Sequence, residues 1–216
     1  MINENELREK AKIKGISLGN AEKEYLIDLM LLAISRNIKD ELVFKGGTCL
    51  YKFYKLDRFS EDIDFTAIKP IDIEQLIASI KSDLAIFGIN STVSSKKMYN
   101  AMLIKFKCQG PLFRGKYPCS VRFDVNFKSI IEIEPVVKNY SSLYSDIPAF
   151  SLLIMDEKEI LAEKVRAIMS RDKARDVYDL WFLLDKGVNF DMKLVAKKLE
   201  YYNKKFDKIL RPQKNS

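Results

Sequence analysis

Residues 44–65 read FKGGTCLYKFYKLDRFSEDIDF, a pair of glycines followed by two aspartates one residue apart. A strand running into Lys45, Gly46, Gly47 and Thr48 and then a helix puts two side-chain-free peptides at a helix N-terminus. There, backbone N–H groups and the helix dipole attract phosphate, and Thr48 can add a hydroxyl. A tight structural turn would look the same in isolation, and the stretch is no P-loop, because the Gly-Lys-Ser/Thr ending is missing. In a strand side chains alternate, so Asp62 and Asp64 share a face while Ile63 and Phe65 point into a core. Two carboxylates on one face repel unless a positive charge sits between them. Magnesium or manganese fits, since a hard cation needs only a few protein oxygens when triphosphate oxygens complete its shell. A bare Asp-x-Asp also fits an exposed acidic edge, but here thirteen residues separate Thr48 from Asp62. That length allows one helix and a return strand beside the first, so phosphate cradle and metal ligands lie together. The expected ligand is a nucleoside triphosphate (NTP) with its metal ions.

The chain has 216 residues, enough for one sizeable core or a core domain with a helical companion, and 47% apolar composition argues for a folded globule. It contains no histidine, which removes Ser-His-Asp and Cys-His catalysis and imidazole metal ligands. Chemistry must run on carboxylates, lysine, arginine, hydroxyls and metal ions. Cys49, Cys108 and Cys119 lack metal-type spacing and read as reduced thiols. No targeting peptide is recognisable, and the apolar run YLIDLMLLAI at 25–34 is too short to span a bilayer and contains Asp28. The expectation is a cytoplasmic protein with no membrane partner. Net charge is +7, and the last twenty residues hold seven Lys or Arg against two acids. With Tyr201, Tyr202 and Phe206 interleaved, that tail suits RNA, or equally a solvated helix.

Periodicity divides the chain. Amphipathic helices are expected at 4–14 and 20–36, the second with Tyr25, Leu26, Leu29, Met30, Ala33 and Ile34 on one side. From 41 to about 137 the period shifts toward two, with strands at 42–44, 63–68, 102–107, 120–127 and 131–136 and helices at 48–54 and 73–87. After Pro148 helices are expected at 157–171, 174–186 and 192–209. The fold class is α/β (α+β), a sheet domain over 1–150 followed by a helical domain over 151–216.

A third carboxylate would let two ions be held about 4 Å apart. Asp124 is a candidate, on the polar face of SVRFDVNF, but IEIE at 131–134 alternates as well, so Glu132 and Glu134 stay open. In the helical part Lys164 falls inside the apolar stripe of Ile160, Leu161, Val165 and Ile168, with Arg171 on the same side. Asp176 shares a side with Leu180 and Leu183, while Arg175 and Asp179 are spaced to pair at i, i+4. An inward lysine and an inward aspartate fit either a buried ion pair joining two helices or a lysine reaching a phosphate.

KGGTCLYKFY at 45–54 and RFSEDIDF at 58–65, with AEKEYLIDLMLLAI at 21–34 and EILAEKVRAIMSRDKARDVYDLWFLL at 159–184, resemble the AbiEii/AbiGii-type nucleotidyltransferases. These include toxins of abortive-infection and toxin–antitoxin systems. The resemblance implies a polymerase-β-like nucleotidyltransferase fold with an appended helical bundle, transfer of NMP from an NTP, and a cognate antitoxin. In the best understood relatives the acceptor is the 3′ end of tRNA. Gly46, Gly47 and Thr48 match the glycine motif, Asp62 and Asp64 the metal-binding pair, and Asp124 the third strand carboxylate. Lys164 and Asp176 match the functional lysine and aspartate of two helical motifs. Arg58 and Ser60 belong to the RFSED signature and are candidates, with Lys45, for nucleotide contact. The expected mechanism is in-line attack of an RNA 3′-hydroxyl on the α-phosphate. A protein or small-molecule hydroxyl as acceptor, or a nucleotide- or RNA-binding module without turnover, are the alternatives.

Overall fold

A computed structural model describes residues 1–128 and 130–200. The chain divides into a unit comprising residues 1–131 and 135–155 and a helical unit comprising 132–134 and the residues from 156 onward. In the first, α1 (Glu4–Lys14) starts where the Asn3 side chain accepts the Glu6 N–H, and stops at Gly15, which turns left-handed at φ 64°. α2 (Leu18–Asn37) follows, capped by Ser17. Then come β1 (Leu42–Lys45), α3 (Gly46–Phe53), β2 (Asp62–Ala67), α4 (Ile73–Ile86), β3 (Ser91–Lys97), β4 (Ala101–Cys108), β5 (Cys119–Asn126), β6 (Val136–Tyr140) and β7 (Phe150–Ile154). The strands form one mixed sheet in the order β3-β4-β5-β2-β1-β7-β6. β1 and β2 run antiparallel, as the span between Thr48 and Asp62 suggests, whereas β2 pairs parallel to β5 and β1 parallel to β7.

The core lies between the sheet and α2. The sequence pattern gives α2 one apolar side, but every residue from Tyr25 to Ile34 is buried, Asp28 included. α2 is packed by α1, α4, β5 and β7, so no face is left for water. Its acidic residues are answered internally. Lys52, near the end of α3 with a side chain 1% exposed, lies 2.9 Å from Glu24 and 2.6 Å from Asp28. Lys14 also pairs with Glu24, Tyr51 donates to Glu24, and Tyr140 and Ser142 donate to Asp28. Burial pushes the Glu24 carboxyl up, but Lys52 and Lys14 outweigh it and hold it below its ordinary range. This network fixes α3, and with it the glycine pair, against the core.

Two strands escape the sequence pattern. β3, STVSSKK, is an edge strand with Val93 as its single apolar side chain, and β7 falls after Pro148, where helix was expected. Conversely, most of the strand expected at 131–136 is absent. The buried Glu159 carboxylate accepts the N–H groups of Glu132 (2.9 Å) and Ile133 (2.8 Å), tying that segment to the helical unit, and pairing begins only at Val136.

The helical unit contains α5 (Glu157–Ser170), capped by Asp156, and α6 (Ala174–Asp185), followed by a helical run over 192–200. Its small core includes Ala162, Leu194 and Val195. The remainder of the third expected helix, and the basic tail with Tyr201, Tyr202 and Phe206, lie outside the described residues.

Candidate active site

The parallel pairing of β2 with β5 sets Asp62 beside Arg122 and Asp64 beside Asp124. Ile63, Phe65, Phe123 and Val125 alternate with them and are buried on the opposite face. The partly exposed face therefore presents three carboxylates and one guanidinium. Arg122 holds Asp62 with two parallel bonds, Nε to Oδ1 and Nη2 to Oδ2, each 2.7 Å. Burial pushes the Asp124 carboxyl above its usual range, and Asp62 adds to that; Arg122 opposes it. The sequence reading omitted Arg122. Its alternation with Asp124 was visible, but only the strand register shows which acid it meets.

α3 begins against this face, and Lys45 stands opposite Asp64 in the β1–β2 ladder. Gly46 has φ 77°, and a Cβ there would sit 2.6 Å from Asp64 Oδ2. A side chain there would be strained by the backbone conformation and would have to displace the carboxylate. Lys45, the N-cap residue, supplies no side-chain hydrogen bond to the helix start, whose first N–H groups have no intrahelical partner. Thr48 is turned inward and fully buried; its hydroxyl donates to the Asp62 carbonyl and contacts Ser60 Oγ at 2.9 Å. The two hydroxyls expected near phosphate brace the start of α3 to the start of β2. Arg58 donates to the Phe59 carbonyl at 3.1 Å.

The carboxylates suit a hard divalent cation in kind, as the like-charge pressure of Asp62 on Asp124 illustrates. Among the described residues, however, no three Asp, Glu, Cys or His side chains are already gathered as a metal centre. A cation would have to compete with Arg122 for Asp62. Of the alternatives to Asp124, Glu132 and Glu134 belong to the helical unit, where Glu132 pairs with Lys197 at 2.8 Å.

Within the helical unit Lys164 and Asp176 meet directly, Nζ to Oδ1 at 3.0 Å, and Lys164 also lies 2.7 Å from Asp179. Arg171 completes the cluster through Nε and Nη2, at 2.8 and 3.0 Å from Asp176. Burial pushes the Asp176 carboxyl up, but Arg171 and Lys164 reverse this and hold it below its ordinary range. Asp179, which helical spacing offers to Arg175, is fully buried against Lys164.

The family model described as nucleotidyl transferase AbiEii toxin, type IV toxin–antitoxin system, matches residues 31–216. The chain belongs to the AbiEii nucleotidyltransferase toxin family. Membership makes it a transferase of the nucleotidyltransferase class and brings with it an NTP substrate and a cognate antitoxin. The fold agrees with solved structures. MenT4, a nucleotidyltransferase toxin from Mycobacterium tuberculosis, superposes with TM-score 0.66 at 20% identity, over 92% of this chain and 69% of that one. JHP933 from Helicobacter pylori gives TM-score 0.62 at 23% identity, over 90% and 78%. No curated protein matches by sequence. None of the helices among the described residues of this AbiEii-family chain is long and apolar enough to cross a membrane.

Proposed function

We propose that this toxin transfers NMP from an NTP to the 3′-hydroxyl of an RNA, with tRNA as the acceptor class. The observation that carries the reading is the β2–β5 register, which sets Asp64 beside Asp124 where α3 opens with Gly46. Asp62, Asp64 and Asp124 would hold magnesium or manganese, which supplies positive charge for the triphosphate and the attacking oxygen. The N–H groups at Gly46 and Gly47 are suited to phosphate oxygens, with Lys45 the cation next to them in the chain and Arg58 brought in by the resemblance. Thr48 and Ser60 act as braces. The acceptor oxygen bonds to the α-phosphorus as the bond to the bridging oxygen breaks, and pyrophosphate leaves. The hydroxyl proton would pass to a nearby carboxylate, with Asp124 as the candidate on the β5 side of the cluster. Lys164 and Asp176 enter the proposal through the resemblance.

The test is incubation of the protein with total tRNA, divalent metal and each α-labelled NTP in turn, beside Asp62→Asn. Label on tRNA that the variant fails to add supports the reading, provided both proteins melt alike. Full activity in Asp62→Asn would remove that carboxylate from the machinery, and label on protein alone would replace the acceptor.

A further inference from the structure

The face that carries the carboxylates continues outward across β4 and β3. Strand register runs from Asp124 to Leu103 to Lys96, from Arg122 to Lys105 to Ser94, and from Ser120 to Lys107 to Thr92. On β4 and β3 all of these side chains are exposed, while Ile104 and Phe106 point to the buried side. The helices packed on this part of the sheet, α2 on β5 and α4 on β3, belong to that buried side. Beyond Asp124 the outward face bears no acid. It offers Lys96, Lys105 and Lys107, none of which makes an ion pair among the described residues, separated by small hydroxyl side chains and Leu103. Tyr99, in the β3–β4 turn, is 87% exposed with Lys128 Nζ 4.6 Å from its ring centre. Tyr117, in the β4–β5 connection, is 79% exposed with Lys116 at 5.3 Å. Charge is thus graded: three carboxylates with Arg122 on β2 and β5, and lysines without acids on β4 and β3.

We infer that this open β5–β4–β3 face seats the single-stranded polynucleotide whose end reaches the carboxylates. Three strand spacings separate β2 from β3, roughly 14 Å, so the nucleotides next to a reacting end already lie over the lysines. Lys96, Lys105 and Lys107 take the phosphates, while Leu103 and the two tyrosines offer flat apolar surface to unpaired bases. A duplex would present its phosphates but hide the base faces that Leu103 and the tyrosines would meet. The inference rests on the RNA-acceptor reading and adds where the acceptor lies; it does not use the basic tail.

The test compares wild type with Lys96→Ala/Lys105→Ala/Lys107→Ala and with a control that removes exposed lysines elsewhere, Lys12→Ala/Lys39→Ala/Lys81→Ala. Binding of a short single-stranded RNA with a free 3′-hydroxyl is followed by anisotropy across a salt series, with label transfer from α-labelled NTP measured alongside. Three lost phosphate contacts should lower the slope of log affinity against log salt by about 2 and weaken low-salt binding by roughly tenfold or more. The control should stay at the wild-type slope. Acetylation mapping of the unaltered protein gives an independent reading, in which RNA should shield Lys96, Lys105 and Lys107. If wild type binds and labels RNA but the face variant matches it, with no shielding, the surface is wrong and the transferase assignment stands. If wild type neither binds nor labels RNA and an acidic protein shields these lysines instead, the acceptor reading falls with the surface.

Discussion

Gly46 illustrates how one missing atom can serve two ends. Its left-handed φ costs any other residue about 1–2 kcal/mol, and a Cβ there would require Asp64 to move. Gly15 shares the conformation at φ 64° but has nothing within 4 Å of a built Cβ. Gly15→Ala should therefore lose about 1 kcal/mol of stability and keep full activity. Gly46→Ala should lose at least as much and, by pushing Asp64 aside, most of its turnover. Melting curves and label transfer on the two variants separate strain from chemistry; equal activity would show that Asp64 can move without harm.

Among the elements, α2 and α3 are joined by the most exacting contact, Lys52 between Glu24 and Asp28. Lys52→Met leaves two buried carboxylates without their main cation and should cost about 3–5 kcal/mol at neutral pH. The pH dependence follows from the depressed Glu24 carboxyl. Its stabilisation is complete above its ordinary value of 4.5 and disappears as pH falls through the lower folded value. The melting difference between wild type and Lys52→Met should therefore be widest near neutrality and narrow in acid. A gap that widened in acid would contradict this. In the helical unit, Lys164→Met takes one cation from the buried Asp176 and Asp179, although Arg171 still holds Asp176. It should lower the melting temperature, and if the lysine also serves the triphosphate, NTP affinity measured on folded protein should fall too; unchanged affinity would leave Lys164 a purely structural partner.

These elements also mark what the sequence could show. The alternation of β2 and β5 and the helix signals around α1, α3 and α4 are local, and they are legible. The register that sets Asp124, and not Glu132, beside Asp64 is non-local, and the Glu159 side chain that claims the 132–133 backbone gives no local sign. Asp28 was legible as a residue unfit for a membrane; its partner lies 24 positions away, beyond any helical spacing.

At the scale of the molecule, the charge excess of +7 is unevenly used: carboxylates gather on β2 and β5, and lysines extend from them to the sheet edge. The order of strands matters as much as their charge. Asp64 and Asp124 are 60 positions apart and meet only through a parallel pairing, which no hairpin can nucleate. β1 and β7 are closed by a longer loop still. Such contacts form late, because chain entropy must be lost before they return any stabilisation. During refolding from denaturant, helical circular dichroism should recover before NMP transfer does; simultaneous recovery would show the pairing to be early. The topology then carries a safeguard of its own: until that pairing closes, a chain that already bears Asp64 and Asp124 holds them apart, so the centre we propose would exist only in the finished molecule.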